Sequence, residues 1–414
     1  MQRLVFHVDV NSAFLSWEAA RRVSEGGEDL RLIPSAIGGD RDKRTGVILA
    51  KSIPAKKYHI NTGEPVAMAL RKCPALVLAK PDFHLYTRCS KAFIGICREF
   101  APAVEQFSID ECFLDMTGTE YMYPDPVKAA YELKDRIRDE LGFTVNIGVG
   151  PNKLLAKVAS DFEKPDKVHV LMAEDVPEKL WPLPVSDLFG VGKNTAAKLN
   201  SKGIRTVGDL ARCTSEYVQS ILGMKQGYQL HRSANGLDDS PVSAERAEAK
   251  GYSISVTLED NVTDTQTAKE ILLELVDSVA SRMRRDGMYT YCIGVTIRSD
   301  DFRDRSHQRK LDHPTDITSE VFDISMQLFT ELWDRKTPLR LLGVSLTELT
   351  KENVTQLSLF DTGEDFEKAR NLDRSVDEIR KKYSTGAIVR GSALKSSVKV
   401  GKKYSSQMDE EKNK

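Results

Sequence analysis

Two adjacent acidic residues interrupt a segment that otherwise has the composition of a β-strand. The stretch QFSIDECFLDMTG, residues 106–118, places Asp110 and Glu111 side by side between apolar and β-branched residues. Burying two neighbouring carboxylates is costly unless a turn, a hydrogen-bond donor or a cation offsets their charge. The fold must therefore expose this acid pair at a turn or supply a positive partner for it.

The chain is too long for one hydrophobic core. It has 414 residues, and single cores stop growing at roughly 250–300 residues, so several domains are expected. Strand and helix patterns alternate up to residue 165, short glycine-punctuated helical segments follow up to 237, and period-2 strands resume at 251. The sequence predicts an α+β multidomain protein, with a linker over 238–250 and a charged, mobile tail over 350–414.

The composition excludes several classes of protein. Lys and Arg (60) nearly balance Asp and Glu (61), so any surface for nucleic acid must be local. The six cysteines form no CxxC pair, which favours reduced thiols over a disulfide framework or a zinc site. No apolar run approaches the roughly 20 residues of a membrane span, and the N-terminus lacks the zones of a signal peptide. We expect a soluble, cytoplasmic protein without a membrane partner.

A third carboxylate ends the first predicted strand. RLVFHVDV carries Asp9, and about 100 positions later Asp110 and Glu111 lie in a turn between two predicted strands. Sheet pairing would bring the three acids to one edge, where they would repel one another unless cations share them. Mg²⁺ prefers such oxygen ligands, and two ions about 3.5–4 Å apart suit phosphoryl transfer. The alternative is that each acid caps a turn or a helix, and spacing alone leaves both interpretations open.

Three segments, in order along the chain, resemble the Y-family, or translesion, DNA polymerases. VDVNSAF (8–14) resembles the first metal motif of that family, SIDE (108–111) the second, and VGPNKLLAKVASDFEKP (149–165) the segment that closes the palm. The resemblance covers roughly residues 1–350. It implies a right-hand polymerase architecture with a palm (1–10 and 79–165), small fingers (11–78), a helix-hairpin-helix thumb (166–237) and an α+β little finger (251–349).

The resemblance also implies roles for individual residues. Phe14 would lie under the incoming sugar and leave no room for a 2′-hydroxyl, whereas the alternative is an ordinary core Phe on a helix. Lys164 would meet the nucleotide triphosphate as a point positive charge. The implied catalytic ligands of two Mg²⁺ ions are Asp9, Asp110, Glu111 and the backbone carbonyl of Val10.

The fingers depart from the family pattern. The family commonly has a Tyr and an Arg on the phosphates, and SIPAKK (52–57) places Ile53 and Lys56 at those positions. Lys keeps the charge but loses the bidentate fork of Arg, and Ile has no hydroxyl to donate. Phosphate binding would then depend on Lys56, helped by Lys57.

Two further regions resemble the DNA-holding parts of the family. LFGVGKNTAAKL has the glycine hairpin of a helix-hairpin-helix, although such turns are often mere connectors. Alternation over YTYCIGVTIRS places Thr290, Thr296 and Arg298 on one polar face, which would lie on a DNA backbone or be merely solvated. The candidate DNA contacts are Gly190, Gly192, Lys193, Ser253, Ser255, Arg298, Arg303 and Arg305.

The tail carries a short motif with exposed apolar residues. QLSLF (356–360) resembles the peptide by which bacterial proteins bind the sliding clamp, in which Gln is hydrogen-bonded and the apolar pair fills a cleft. The following LDRSVDEIRKKYSTGA is predicted to form an amphipathic helix of unknown role. The candidate clamp contacts are Gln356, Leu357, Leu359 and Phe360.

These observations predict a monomeric, template-directed DNA polymerase of the translesion type, with low fidelity. It would use Mg²⁺ to add a dNTP to the 3′-hydroxyl of a primer on template DNA. One alternative is a clamp-tethered DNA-binding scaffold with weak or lost polymerase activity, supported only by the altered SIPAKK loop. A nucleotidyl transferase without a template is a second alternative, and it would leave the thumb and little-finger segments without a purpose.

Overall fold

A computed structural model describes residues 3–39, 46–245, 248–352, 364–384, 386–389 and 391. The described residues form two compact units: the first comprises 3–39 and 46–245, and the second comprises the described residues from 248 onward. Within the described residues, no helix is long and apolar enough to cross a membrane.

A five-stranded sheet organises the first unit. Its order is β5-β6-β1-β7-β8, with every neighbouring pair antiparallel except β7 and β8. The predicted first strand is confirmed as β1, and its position at the centre of the sheet explains its almost continuous burial. The strands are β1 (Val5–Val10), β5 (Ala103–Gln106), β6 (Glu111–Asp115), β7 (Val145–Gly150) and β8 (Val168–Val170).

Helices cover both faces of this sheet. Phe6, Val8 and Val10 of β1 belong to the core under α1, α4 and α5, so the alternate residues of β1 face α6. Helix α6 lies directly against β7, because a Cβ on Gly148 would be only 1.9 Å from the carbonyl oxygen of Ala156. The helices are α1 (Ala13–Ser24), α4 (Phe83–Phe100), α5 (Pro126–Leu141) and α6 (Lys153–Ser160).

The first unit contains two smaller parts. One is a three-stranded sheet in the order β3-β2-β4, which has its own small core around Ile48, Ile60 and Val66. The other is the predicted run of short helices, around Leu199, Leu210 and Leu230. Their elements are β2 (Ser35–Gly38), β3 (Ile48–Lys51), α2 (Ile53–Lys56), α3 (Val66–Lys72), β4 (Val77–Ala79), α7 (Lys193–Ser201), α8 (Val207–Arg212), α9 (Ser215–Leu222) and α10 (Met224–Ala234).

The second unit is a four-stranded antiparallel sheet in the order β11-β10-β12-β9, with long helices packed on one face. The three predicted period-2 strands are confirmed. The sequence did not indicate β11, since most of its residues are exposed and many are charged. Such a segment resembles a solvent-exposed loop. The elements are β9 (Gly251–Val262), α11 (Thr265–Arg285), β10 (Tyr289–Ser299), β11 (Asp304–Thr315), α12 (Thr318–Leu332), β12 (Leu339–Thr350) and α13 (Glu364–Tyr383).

Two expectations for this unit need correction. Thr290 does not lie on an exposed polar face: a register shift follows it, and its buried hydroxyl donates to the carbonyl oxygen of Thr347 at 2.7 Å. The tail after residue 350 is not mobile throughout, because α13 is an ordered helix that contacts α11 and α12. The predicted amphipathic helix in this segment is confirmed.

Candidate active site

Strand pairing brings the three predicted catalytic acids to one end of the central sheet. Asp9 on β1 is the register partner of Glu111 on β6. The next residue of β1, Val10, donates its backbone N–H to the carbonyl oxygen of Asp110 at 3.0 Å. Residues about 100 positions apart in sequence are therefore neighbours in space.

Each of these carboxylates has its own partner. Asp9 accepts from Lys164, Asp110 accepts from the hydroxyl of Ser108 at 2.5 Å, and Glu111 accepts from His7 and Lys157. In the described part of the chain, no three His, Cys, Asp or Glu side chains converge in an arrangement that would hold a metal ion. The backbone positions converge and the side chains do not, which is the expected response of like charges that each have a donor nearby.

The surroundings give the acids different proton affinities. Burial would raise the pKa of Glu111, but the hydrogen bonds from His7 and Lys157 outweigh it and lower that pKa to about 2. Burial raises the pKa of Asp9 above its ordinary value, against the attraction of Lys164. Burial also disfavours the charged form of Lys164, yet Asp9 and Asp161 outweigh this and raise the pKa of its ammonium group. Glu111 is therefore the more firmly ionised acid, and Lys164 stays cationic.

The donor atoms at this edge suit a hard divalent cation. Carboxylates of Asp9, Asp110 and Glu111, together with the backbone carbonyl at Val10, supply only oxygen ligands, which Mg²⁺ prefers over nitrogen or sulfur. A bound cation would also lower the pKa of Asp9, which burial raises. The chemistry of the donor set thus fits the predicted metal, although each carboxylate is turned to its own partner.

Two residues beneath Glu111 were not among the predicted site residues. His7 is fully buried, with Nε2 donating to Glu111 at 3.1 Å and Nδ1 lying 2.8 Å from the hydroxyl of Ser160. Lys157 on α6 forms an ion pair with the same carboxylate. His7 precedes Asp9 by two positions and so shares its side of β1, a signal that the strand period offered.

The predicted sugar gate stands against an aromatic wall. Phe14, on the first turn of α1, is half-buried and stacks on Tyr86 with ring centroids 4.6 Å apart. The rings of Phe83 and Trp17 also lie next to the Phe14 ring, with centroid distances of 6.1 and 5.9 Å. The Phe14 side chain is therefore held by neighbours from α1 and α4.

The two predicted phosphate-binding lysines lie at the end of α2. Ser52 caps this short helix by accepting from the backbone N–H of Ala55 at 3.1 Å. Lys56 and Lys57 are exposed, and Ile53 is half exposed at the start of the helix. Among the described residues, neither lysine bonds to the three acids.

The glycine hairpin has the predicted form. Gly190 has a φ of +89°, a conformation that favours glycine, and Gly192 stands directly before α7, whose first residue is the exposed Lys193. This arrangement leaves backbone N–H groups at the start of α7 available to an anion.

An aromatic contact joins the hairpin segment to the acid-bearing turn. Phe107, just before the SIDE motif, and Phe189, just before Gly190, have ring centroids 6.1 Å apart. The ammonium of Lys157 lies 5.3 Å from the first ring centroid and 5.4 Å from the second. Both rings are nearly half exposed. Sequence gave no signal for this contact, because its members are about 80 positions apart.

One face of the second unit's sheet carries small and polar residues. Gln308, Gly294, Ser345 and Ser253 are in register across the four strands, and the adjacent row is Ser306, Thr296, Gly343 and Ser255. Arg298 follows on this face and forms an ion pair with Asp304.

The predicted arginines are not all on that face. Arg305 is the register partner of Ile297, whose side chain is in the core, so Arg305 lies on the side of the sheet that the helices cover. Arg303 is exposed in the turn before β11 and forms an ion pair with Asp301. Of the predicted DNA contacts in this unit, the structure groups Ser253, Ser255 and Arg298.

The predicted clamp motif, Gln356 to Phe360, lies outside the described residues.

Family models match most of the chain. Residues 8–161 match the impB/mucB/samB family, residues 249–359 match the C-terminal domain of the same family, and residues 186–238 match the model described as the DNA polymerase-iota thumb domain.

Curated relatives match over nearly the full length. A DNA polymerase IV of Clostridium acetobutylicum is 43% identical over 95% of this chain and 99% of the relative. DNA polymerase IV of Acetivibrio thermocellus is 37% identical over 95% and 98%, and DNA polymerase IV 1 of Bacillus subtilis is 36% identical over 95% and 94%.

A solved structure has the same fold. It is a Y-family DNA polymerase chimera that superimposes with a TM-score of 0.73 over 84% of this chain and all of the other, at 23% identity. The right-hand polymerase architecture predicted from the sequence is confirmed by this likeness. With matching family models, near full-length relatives and this fold, the chain belongs to the Y family of DNA polymerases, in the group of bacterial DNA polymerase IV.

Proposed function

We propose that the protein is a template-directed DNA polymerase of the translesion type, which adds a dNTP to a primer 3′-hydroxyl with low fidelity. The observation that carries the proposal is the pairing of strands that brings the backbone positions of Asp9, Asp110 and Glu111 together at one end of the central sheet, with Lys164 bonded to Asp9. Divalent-metal dependence follows from the family, and the oxygen donor set supports Mg²⁺ in particular.

The proposed ligands of two Mg²⁺ ions are Asp9, Asp110, Glu111 and the carbonyl of Val10. When bound, the two ions would activate the primer hydroxyl and neutralise the departing pyrophosphate. His7 and Lys157 hold the Glu111 carboxylate ionised and oriented from beneath. These two residues act through Glu111, so we assign them a positioning role.

The other side chains act on the nucleotide. Lys164 carries a positive charge at the end of the site, which suits the triphosphate. Phe14, with the aromatic wall behind it, excludes a 2′-hydroxyl by its volume and so selects deoxyribonucleotides. Lys56 at the end of α2 and Lys57 directly after it are exposed cations that would bind the phosphates.

The remaining parts would hold primer-template DNA. We assign the five-stranded sheet to the palm, the three-stranded sheet to the fingers, the helices from α7 to α10 to the thumb, and the second unit to the little finger. The thumb would bind phosphate through the backbone around Gly190, Gly192 and Lys193. The little finger would lie on the DNA backbone with its face of small polar residues. Glycine, which has no side chain, and the short side chain of serine let a duplex approach the sheet closely.

We further propose that the protein acts as a monomer and binds the bacterial sliding clamp through Gln356, Leu357, Leu359 and Phe360. The support is the sequence QLSLF and its place after the last strand of the little finger. Tethering to the clamp would raise the local concentration of a polymerase that binds DNA weakly.

Primer extension tests the proposal. The purified protein, its Asp110→Ala, Glu111→Ala variant and a Glu120→Ala control, which removes an exposed acid of the same unit, are given Mg²⁺ and four dNTPs. The templates are undamaged or contain an abasic site. Extension past the abasic site by the wild type and the control alone is the expected result. Primer-template binding without extension by the wild type would favour the scaffold instead.

A further inference from the structure

The tail helix α13 is docked on the second unit by charged residues. It spans Glu364–Tyr383, beyond the end of the matched C-terminal domain at residue 359. Four of its residues, spaced by three, four and three positions, point toward α11 and the connection between β11 and α12. These are Arg370, Asp373, Asp377 and Arg380.

The first contact completes another helix. Helix α12 begins after Ile317, which has no side chain able to cap it. The carboxylate of Asp373 accepts from the backbone N–H of Thr318, the first residue of α12, at 2.7 Å. A carboxylate at that position satisfies an otherwise unpaired donor and interacts favourably with the helix dipole. The tail helix thus supplies the N-terminal cap that α12 lacks.

The second contact surrounds a buried arginine. The side chain of Arg284 on α11 is only 6% exposed. It donates to Asp377 at 2.7 Å, to the Thr318 hydroxyl at 2.9 Å and to the carbonyl oxygen of Asp316 at 2.8 Å, and it lies 3.4 Å from Asp373. A buried arginine that loses its carboxylate partners is strongly destabilising. This side chain therefore holds α13 in one register.

Two outer ion pairs flank the buried arginine. Arg370 donates to the carboxylate of Asp316 at 2.8 Å, and Arg380 lies 2.6 Å from Asp277 on α11. The order of charges along α13 is positive, negative, negative, positive, and it faces a surface with the complementary order. Sliding the helix by one turn would oppose like charges, so this surface selects a single position of α13.

We propose that α13 is an intramolecular latch, which anchors the chain beyond the clamp motif to the same unit that carries the chain before it. The strand β12 ends at Thr350 and α13 begins at Glu364, both within the second unit. The proposed clamp-binding residues stand between these two anchors in the sequence. The inference rests on the clamp interaction given under the proposed function.

Anchoring both sides of the motif has an energetic consequence. A chain held at both ends samples fewer conformations than a tail with one free end, so it loses less entropy when a partner orders it. The latch therefore strengthens binding of the clamp, and undocking α13 weakens it without removing any contact residue of the motif.

A pair of charge-matched variants tests the latch in the full-length chain. The Arg370→Gln, Arg380→Gln variant removes both outer ion pairs but keeps Asp373 and Arg284, so the α12 cap remains available. The Arg374→Gln, Lys382→Gln variant changes the net charge equally at exposed positions of the same helix. Asp277→Asn, which weakens the Arg380 contact from the side of α11, is an additional undocking variant if the first does not fold.

Two measurements are made on each protein. Amide hydrogen exchange of α13 without the clamp reports docking, and titration with a purified bacterial sliding clamp reports affinity. We expect faster exchange and a severalfold higher Kd for the undocking variants, with wild-type behaviour of the exposed-face variant. Primer extension without the clamp is expected to be unchanged in all of them.

The outcomes separate this inference from the function on which it rests. Faster exchange of α13 with an unchanged clamp Kd would overturn the latch and leave the clamp motif in place. Wild-type exchange with a raised clamp Kd in the undocking variants would show that Arg370 and Arg380 act on the clamp without undocking α13, and would overturn it too. Absence of clamp binding by the wild type would remove the clamp assignment and the latch together, while leaving the polymerase proposal untouched.

Discussion

Phe14 and Tyr86 stack face to face, with ring centroids 4.6 Å apart and planes only 8° from parallel. Phe14 belongs to α1 and Tyr86 to α4, so the proposed sugar gate is braced by a helix other than its own. Tyr86 is itself fully buried in the core of the first unit. The position of the gate is therefore fixed by packing as well as by its backbone.

The brace predicts a graded loss of sugar selection. Phe14→Ala is expected to admit ribonucleotides, and Tyr86→Leu is expected to lower discrimination by a smaller factor, since an aromatic pair contributes about 0.5–1.5 kcal/mol, or roughly two- to tenfold. Tyr86→Phe keeps the stacked ring and serves as the control. The measurement is kcat/KM for single additions of dNTP and rNTP. Unchanged selectivity in Phe14→Ala would reject the gate assignment.

The low pKa of Glu111 predicts an acid-dependent contribution to stability. Its ordinary pKa of 4.5 falls to about 2 in the folded chain. A depressed carboxyl pKa stabilises the fold above the unfolded value, and this stabilisation is lost as the pH falls from about 4.5 toward 2. Lys157→Met removes one source of the shift, so less stability should be lost over that window.

Urea unfolding at several pH values checks this expectation. The first unit's transition is followed in the wild type, in Lys157→Met and in Lys167→Met, which removes an exposed lysine of the same region. Equal pH dependence in all three proteins would show that Lys157 does not hold the charge of Glu111.

The sequence predicted the elements of the fold more fully than the contacts between them. The runs around Asp9 and Asp110 have strand composition, and the resemblance of their motifs to a known family assigned them to one site. Strand β11 was missed because its charged, exposed residues have no apolar alternation. That omission placed Arg305 beside Arg298, whereas the register puts it opposite Ile297, on the other face.

Contacts that join distant segments could not be read from local pattern. The local sequence of α6 does not show which residue Lys157 contacts. Its ammonium reaches Glu111 because α6 packs closely against β7 at Gly148. Likewise, the charges of α13 are those of an ordinary amphipathic helix. The sequence does not show that Asp373 of α13 accepts a hydrogen bond from the first residue of α12. These contacts depend on tertiary packing, which a single sequence does not encode in any short window.

Lys164 should affect the nucleotide more than the DNA. Its ammonium bonds to Asp9 and Asp161, which keep it charged. A hydrogen bond to a charged group contributes about 1.5–3 kcal/mol, so Lys164→Ala is expected to raise the KM for dNTP by roughly ten- to a hundredfold. Steady-state kinetics with varied dNTP, and a separate primer-template binding curve, measure the two effects.

Lys167→Ala is the matched control for this change, since that exposed lysine lies three positions further along the chain. A loss of primer-template affinity in Lys164→Ala, with the KM for dNTP unchanged, would contradict the assignment and move Lys164 to the DNA-binding surface.

The contact of Phe107 and Phe189 predicts coupling between the thumb and the catalytic turn. The two rings enclose the ammonium of Lys157, which in turn bonds to Glu111. Phe189→Ala opens one side of this enclosure. Since such contacts contribute about 0.5–1.5 kcal/mol, we expect a loss of roughly two- to tenfold in kcat together with a stronger requirement for Mg²⁺. Tyr217→Ala, at a similarly exposed aromatic residue of the helical region, is expected to leave both unchanged.

Coupling is distinguished from simple loss of DNA binding by a double-mutant cycle. If the rings act together through Lys157, the effects of Phe107→Ala and Phe189→Ala on the Mg²⁺ midpoint are less than additive, because either change alone already opens the enclosure. Additive effects, or a change confined to primer-template Kd, would mean that each ring contacts DNA independently and that the thumb does not act on Glu111.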